Sequence, residues 1–211
     1  MSAFWERLKK GYLSLFDPLA DALVARRVHP NVITTVGLVS TLVAAGFFAS
    51  GHISIGGWVL GLTAIFDALD GTVARRTGQA SVFGAFYDST LDRIADGAAL
   101  GGLAIFWAAN TPRHSLWMVG VCLFAIIGAY LTSYTRARAE GLGLDARVGL
   151  VQRAERVVLL SVPQAFFGLA FDGLVLKFIV VLLAITSWIT VAQRMLYVRR
   201  ATATLSQTSS K

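Results

Sequence analysis

Six long apolar stretches dominate this 211-residue chain. A helix that crosses a bilayer needs roughly 17–25 predominantly apolar residues, and each stretch approaches or exceeds that length. Only 15% of the residues are charged, whereas soluble domains carry about 25%. We therefore predict an all-α integral membrane protein with six transmembrane helices. The stretches cover approximately residues 31–50, 54–74, 82–109, 115–137, 151–170 and 173–196.

Arginine and lysine are concentrated in alternate connections between these stretches. They cluster before the first, after the second, between the fourth and fifth, and after the sixth. By the positive-inside rule, this pattern predicts a multi-pass cell-membrane protein with both termini facing the cytoplasm. The net charge of +7 indicates attraction to anionic headgroups or to a phosphorylated substrate. Nucleic acid is disfavoured as a partner, because the basic residues are divided among loops.

We predict three parts along the chain. Residues 1–29 are amphipathic, with aromatic and leucine side chains on one helical face, which predicts an interfacial helix on the cytoplasmic surface; a soluble leader packed on the bundle is the alternative. Residues 30–198 form the six-helix membrane domain. Residues 199–211 are small and polar and are predicted to be a disordered cytoplasmic tail. Cys122 is the single cysteine, so no intrachain disulfide can form.

Acidic residues interrupt the second and third apolar stretches. Ionisable side chains are costly inside membrane helices and usually face a cavity with a functional role. The intervening loop "RRTGQAS" lets the two helices turn back on each other, so that two helical stripes can face one another near the cytoplasmic surface. One stripe contains Asp67, Asp70, Gly71 and Ala74, and the other contains Gly84, Asp88, Asp92 and Asp96.

Clustered carboxylates repel one another, and a bound divalent cation removes that repulsion. Ligands that are all oxygen suit Mg²⁺, Mn²⁺ or Ca²⁺, while the glycines leave room for a ligand. A single aspartate can instead be hydrogen-bonded within the bundle, and this alternative weighs most for Asp96. The sequence thus predicts a metal centre formed by Asp67, Asp70, Asp88 and Asp92.

The spacing of these residues resembles the signature of the CDP-alcohol phosphotransferases. The pattern DxxDGxxAR, eight further residues and then GxxxDxxxD matches at every fixed position over residues 67–92. The resemblance implies six transmembrane helices, an interfacial N-terminal helix and a homodimer. It also implies an enzyme of phospholipid biosynthesis that transfers a phosphatidyl group from a CDP-linked lipid, such as CDP-diacylglycerol, to an alcohol and releases CMP.

The same resemblance implies roles for individual residues. Two divalent ions, Mg²⁺ or alternatively Mn²⁺, held by the four predicted metal ligands, would grip the pyrophosphate. Asp92 would also be the catalytic base that takes a proton from the acceptor hydroxyl. The segment "HPNVITT", which would contact the nucleotide, also fits an ordinary helix start. The predicted CDP-lipid-binding residues are Pro30, Asn31, Val32, Gly71, Arg75, Ser81 and Gly84.

Further arginines are predicted at the same cytoplasmic level as the aspartates. Converging guanidinium groups would bind a phosphate on the acceptor, although positive-inside anchoring is the alternative explanation. The predicted acceptor phosphate-binding residues are Arg136, Arg153, Arg156 and Arg194.

Three segments indicate which alcohol accepts the phosphatidyl group. "SYTRARAEGLGL", "VQRAERVVLL" and "DRIADG" resemble segments of the phosphatidylinositol phosphate synthases and archaetidylinositol phosphate synthases. The acceptor would then be myo-inositol 1-phosphate. Two departures stand against this, because Arg136 replaces a frequent Lys and Ala154 a frequent Pro. Glycerol 3-phosphate or another alcohol is the alternative within the same chemistry, and a cation or proton transporter is the alternative from another class.

Overall fold

The computed structural model describes residues 16–146 and 148–208, and its regular secondary structure in this part of the chain is entirely helical. Seven α-helices follow one another, with a short 3₁₀ helix, Ala170–Gly173, before the last. The α-helices are α1 (Asp17–Ala25), α2 (Pro30–Ala49), α3 (Ile53–Thr77), α4 (Val82–Ala108), α5 (Leu116–Glu140), α6 (Arg153–Phe167) and α7 (Leu174–Thr208).

Each predicted apolar stretch corresponds to one helix, in chain order from α2 to α7. Within the described residues, four helical segments are long and apolar enough to cross a membrane: α2, α3, α5 and Ala170–Ala203. The helix α4 carries too many charged residues to meet this description, and α6 has only 15 residues. The all-helical membrane class is therefore confirmed, whereas six membrane crossings stay a prediction.

The N-terminal segment is described only in part, since residues 1–15, which carry most of the predicted amphipathic face, lie outside the described residues. The described remainder forms α1, which has Pro18 in its first turn, where the missing N–H costs nothing. Arg76 at the end of α3 forms ion pairs with α1, at Asp17 and, at 2.5 Å, at Asp21. The placement of α1 along a membrane surface stays a prediction.

The C-terminal segment differs from the predicted disordered tail. The helix α7 continues through Thr208, well into residues 199–211. Once a helix has formed, adding a residue costs little, and residues 199–208 contain no glycine or proline that would end it. Polar composition alone therefore did not predict where this helix ends.

The helices pack as a bundle around two apolar clusters. The helix α2 packs against α3 and α4, α3 also against α6, α5 against α4 and α7, and α6 against α7. The larger cluster includes the fully buried Phe48, Leu103 and Trp107, at the bundle end opposite the acidic residues. A smaller cluster around Leu69 and Val73 joins α1, α2 and α3. The end of the bundle that carries the carboxylates thus has less apolar packing.

Two pairs of helices approach closely because glycine lies at the contact. A Cβ on Gly102 would collide with the backbone of Ala45, whose Cα and carbonyl carbon would lie only 3.0 Å away. A Cβ on Gly57 would meet the carbonyl oxygen of Ser161 at 2.8 Å. Small residues at such crossings let membrane helices touch backbone to backbone. Gly102 therefore sets the distance between α2 and α4, and α4 carries Asp88 and Asp92.

We expect Gly102→Ala to destabilise the protein by about 1–3 kcal/mol, because the added methyl must push α2 away from α4. The matched control is Gly101→Ala, since a Cβ on Gly101 would have no atom within 4 Å. The control should be neutral or slightly stabilising, as alanine favours helix. Thermal unfolding in detergent, followed by tryptophan fluorescence, measures both. Equal effects of the two substitutions would contradict this account of the α2–α4 contact.

Candidate active site

A short connection brings the acidic ends of α3 and α4 together. Gly78 caps α3 with a left-handed backbone conformation (φ +67°), which glycine adopts without strain. Three residues later, the Ser81 hydroxyl accepts a hydrogen bond at 3.0 Å from the Gly84 backbone N–H and caps α4. The connection between the two helices therefore spans only residues 78–81.

The predicted metal ligands lie on these helices, two on α3 and two on α4. Asp67 and Asp88 interact electrostatically with each other and with both Asp70 and Asp92. Asp70 is buried, and its carboxylate accepts hydrogen bonds from the Thr34 hydroxyl at 2.8 Å and from the Gly71 backbone N–H at 2.5 Å. Thr34 lies on α2, so a third helix orients this carboxylate.

Arg153 joins the two acidic helices. This first residue of α6 donates a hydrogen bond to Asp67 and forms an ion pair, at 2.8 Å, with Asp92. Its Nε lies 3.8 Å from a carboxylate oxygen of Asp96. One guanidinium group therefore bridges carboxylates of α3 and α4, and a residue predicted to bind the acceptor phosphate contacts two predicted metal ligands.

The donor set fits a divalent cation, although the side chains do not form a ready-made cage. Among the described residues, no three His, Cys, Asp or Glu side chains converge closely enough to hold a metal ion. Carboxylate oxygens are nevertheless the ligands that Mg²⁺ and Mn²⁺ prefer. The cluster offers four carboxylates, two on α3 and two on α4, namely Asp67, Asp70, Asp88 and Asp92.

A cavity of about 200 Å³ lies between the start of α2, the end of α3 and the start of α4. A Cβ on Gly71 would lie 3.2 Å from the Arg75 guanidinium, and one on Gly84 would lie 3.1 Å from the Ser81 hydroxyl, so the glycines keep this cavity open. Val32, whose side chain is 54% exposed, does not line it. The other predicted CDP-lipid-binding residues all do, namely Pro30, Asn31, Gly71, Arg75, Ser81 and Gly84.

A larger cavity of about 980 Å³ adjoins the other side of the acidic cluster. Asp92 lines it together with all four predicted acceptor-binding arginines, Arg136, Arg153, Arg156 and Arg194. The four side chains are not equivalent. Arg136 also pairs with Glu140, and Arg194 donates to the carbonyl oxygens of Thr132 and, at 2.9 Å, Val148. Arg194 therefore also holds the connection between α5 and α6 in place.

Arg93, which was not among the predicted site residues, also lines the larger cavity. Its guanidinium lies 3.6 Å from the carboxylate of Asp92. Its Nε is buried and has no hydrogen-bond partner among residues 16–146 and 148–208. The sequence feature that could have indicated a site position for Arg93 is its place directly after the predicted base, in "DRIADG". Arg93 brings a fifth guanidinium group to the cavity.

Asp96 continues the acidic stripe of α4 but pairs with an arginine. Its carboxylate accepts a hydrogen bond at 2.8 Å from Arg156, and the two side chains are only 9% and 10% exposed. A buried carboxylate and a buried guanidinium each need the other, because an uncompensated charge is costly away from water. Asp96 therefore fixes the position of Arg156 at the wall of the larger cavity.

Comparison with known proteins gives a consistent result. The model of the CDP-alcohol phosphatidyltransferase family matches residues 27–193. A phosphatidylinositol phosphate synthase of Cutibacterium acnes is 38% identical over 93% of this chain and 98% of its own length. An archaetidylinositol phosphate synthase of Pyrococcus horikoshii is 35% identical over 84% and 87%, respectively.

The fold is also similar to that of a solved relative. The crystal structure of Mycobacterium tuberculosis phosphatidylinositol phosphate synthase with CDP-DAG bound superposes with a TM-score of 0.78 and 32% identity, over 86% of this chain and 92% of that one. A second crystal structure of that enzyme, in complex with manganese and citrate, gives a TM-score of 0.77 and 33% identity, over 86% and 87%.

We expect a double-mutant cycle of Asp96→Asn and Arg156→Gln to give a coupling free energy of about 1–3 kcal/mol, because each single change leaves a buried partner uncompensated. The control cycle uses Arg136→Gln and Glu140→Gln, a pair whose side chains are both 46% exposed. Exposed pairs contribute roughly 0–1 kcal/mol. Unfolding in detergent measures both cycles, and a larger coupling for the exposed pair would refute the anchoring role of Asp96.

Proposed function

The chain belongs to the CDP-alcohol phosphatidyltransferase family, and from this premise we propose that it transfers the phosphatidyl group of CDP-diacylglycerol, or of a related CDP-linked lipid, to myo-inositol 1-phosphate. The observation that carries the proposal is the position of Asp92, which belongs to the acidic cluster and also lines the cavity of the arginines. A carboxylate at that junction can face an activated phosphate on one side and an acceptor on the other.

The smaller cavity is the proposed site of the CDP-lipid headgroup. Asp67, Asp70, Asp88 and Asp92 would hold one or two divalent ions, Mg²⁺ or Mn²⁺, which when bound neutralise the pyrophosphate. The manganese complex of the M. tuberculosis relative supports this choice of metal. Arg75 lines the same cavity, and its planar set of donors suits a phosphate oxygen.

The larger cavity is the proposed site of the acceptor. Its arginines bind the acceptor phosphate and thereby orient a hydroxyl group towards Asp92. Asp92 takes the proton of that hydroxyl, and the oxygen forms a bond to the phosphorus next to the lipid. The bond from that phosphorus to the CMP oxygen breaks, and CMP leaves. Positioning and charge stabilisation carry such transfers.

The choice of acceptor rests on the relatives and on the charge of the cavity. The C. acnes and M. tuberculosis relatives are phosphatidylinositol phosphate synthases. A cavity lined by five arginines favours an acceptor that carries a phosphate over a neutral alcohol. Glycerol 3-phosphate satisfies the same charge requirement, so it is the proper competitor in an assay. A transporter would need carboxylates along a path through the membrane, whereas these collect at one end of the bundle.

We further propose that all of α2 to α7 cross the membrane, with both cavities and both termini on the cytoplasmic side and with a homodimer as the assembly. The charged residues of α4 would argue against a membrane crossing by this helix only if they faced lipid. Instead, Asp92 and Asp96 pair with arginines of α6 inside the bundle, the usual condition for ionisable groups at membrane depth. The basic connections described above support the orientation.

An acceptor panel tests the reaction. We expect the purified protein in detergent, with CDP-diacylglycerol and Mg²⁺, to release CMP with myo-inositol 1-phosphate and much less with glycerol 3-phosphate, serine or unphosphorylated inositol. Serine and unphosphorylated inositol lack the phosphate that engages the arginines, and the expectation for glycerol 3-phosphate rests on the relatives, which are phosphatidylinositol phosphate synthases. Omitting the acceptor controls for hydrolysis of the CDP-lipid. Release of CMP with glycerol 3-phosphate alone would replace the proposed acceptor but keep the reaction class.

The base is tested by Asp92→Asn, which keeps the shape of the side chain but removes its capacity to accept a proton. We expect CMP release to fall about 10²- to 10⁴-fold, while the folded protein elutes normally in size-exclusion chromatography. The control is Asp172→Asn in the exposed 3₁₀ turn at the far end of the bundle, which should keep full activity. If Asp92→Asn released CMP at the wild-type rate, Asp92 would not be the base.

A further inference from the structure

Arg153 is placed between the two proposed binding sites. It forms ion pairs with Asp67 and Asp92, which we propose as cation ligands, and it lines the cavity proposed for the acceptor. Its side chain is 20% exposed, and it begins α6. The same guanidinium group is therefore within reach of two anionic partners, the carboxylates on one side and any phosphate in the cavity on the other.

A guanidinium group and a divalent cation compete when they use the same carboxylate oxygens. Mg²⁺ and Mn²⁺ bind carboxylate oxygen directly. An arginine that donates to those oxygens would then lie against a second positive charge, and like charges repel strongly at such distances. A cation on Asp67 and Asp92 thus requires Arg153 to give up at least one of its two ion pairs.

There is space beside Arg153 for its side chain once it leaves the carboxylates. The larger cavity adjoins it, and an arginine side chain can turn by rotamer change without movement of the backbone. The start of α6 is fixed independently, because the Glu155 carboxylate accepts a hydrogen bond at 2.8 Å from the Gln152 backbone N–H, and because Arg156 is tied to Asp96. The arginine can therefore move while its helix stays in place.

We propose that Arg153 couples the two sites. It competes with the divalent cation for Asp67 and Asp92, and the acceptor phosphate relieves that competition by drawing the guanidinium group into the larger cavity. The cation and the phosphorylated acceptor then bind cooperatively, and by thermodynamic linkage each strengthens the other by the same factor. This inference rests on the cation site of the proposed function. It adds that the phosphorylated acceptor makes this site more available to the cation.

The test measures Mn²⁺ binding by the full chain in detergent, without CDP-lipid, from the electron paramagnetic resonance signal of free Mn²⁺. For the wild type, we expect saturating myo-inositol 1-phosphate to lower the Mn²⁺ Kd about 5- to 10-fold, within the usual range of coupling between sites. Unphosphorylated inositol should have no effect. A titration of myo-inositol 1-phosphate without protein corrects for the Mn²⁺ that it binds in solution.

Substitution separates competition from general charge effects. In Arg153→Gln, we expect Mn²⁺ to bind about 5- to 10-fold more tightly than in the wild type, with less than about a 2-fold further gain from the inositol phosphate. The matched control is Arg136→Gln, which removes one positive charge from the same cavity but contacts Glu140 rather than the cluster. Its Mn²⁺ Kd without acceptor should stay within about 2-fold of the wild type.

Each outcome decides the proposal. If Arg153→Gln fails to fold, Arg153→Lys takes its place, since it keeps the charge but loses the planar pair of donors. The wild-type measurement alone also tests the coupling. Equal Mn²⁺ affinity in wild type and variant, together with no effect of inositol phosphate on the wild type, would overturn the inference while leaving the cation site intact. Absence of Mn²⁺ binding to both proteins would overturn the cation site itself, and the inference with it.

Discussion

Carboxylates inside a bundle of apolar helices must be neutralised or hydrogen-bonded, and this requirement determines how the candidate site is built. Arg153 satisfies it for Asp67 and Asp92, Arg156 for Asp96, and the Thr34 hydroxyl contributes for Asp70. The partners come from α2 and α6, so the two acidic helices alone would be an unstable arrangement. The acidic cluster therefore requires the start of α6 to lie at a fixed position.

That position depends on the connection between α5 and α6. Gly149 has φ +151° and lies against Thr190, where a Cβ would come within 2.5 Å of a methyl carbon. The next residue, Leu150, donates its N–H to the Thr190 hydroxyl at 3.2 Å, and Arg194 donates to the carbonyl of Val148. The helix α7 thus holds the connection from one side, and Arg153 follows it directly into the acidic cluster.

The sequence predicted those features that depend on local pattern. Hydropathy located α2 to α7, and the spacing of Asp67, Asp70, Asp88 and Asp92 placed the four carboxylates on facing stripes, because helical periodicity follows from residue numbers alone. Contacts between distant residues could not be predicted in this way. The bridge from Arg153 to Asp67 joins helices that are far apart in the chain, and the role of Arg93 depends on which cavity its side chain reaches. The extension of α7 depends on helix propagation from a packed segment, which composition does not report.

The division of the site by α4 has a consequence for the chemistry. Asp88 lines the smaller cavity and Asp92 the larger one, although they lie one helical turn apart, a rise of about 6 Å. In an in-line displacement, the attacking oxygen and the leaving oxygen must lie on opposite sides of the phosphorus. In the proposed reaction, a nucleotide in the smaller cavity and an acceptor in the larger one would reach the phosphorus from these two cavities. The periodicity of one helix therefore assigns the two carboxylates to different cavities.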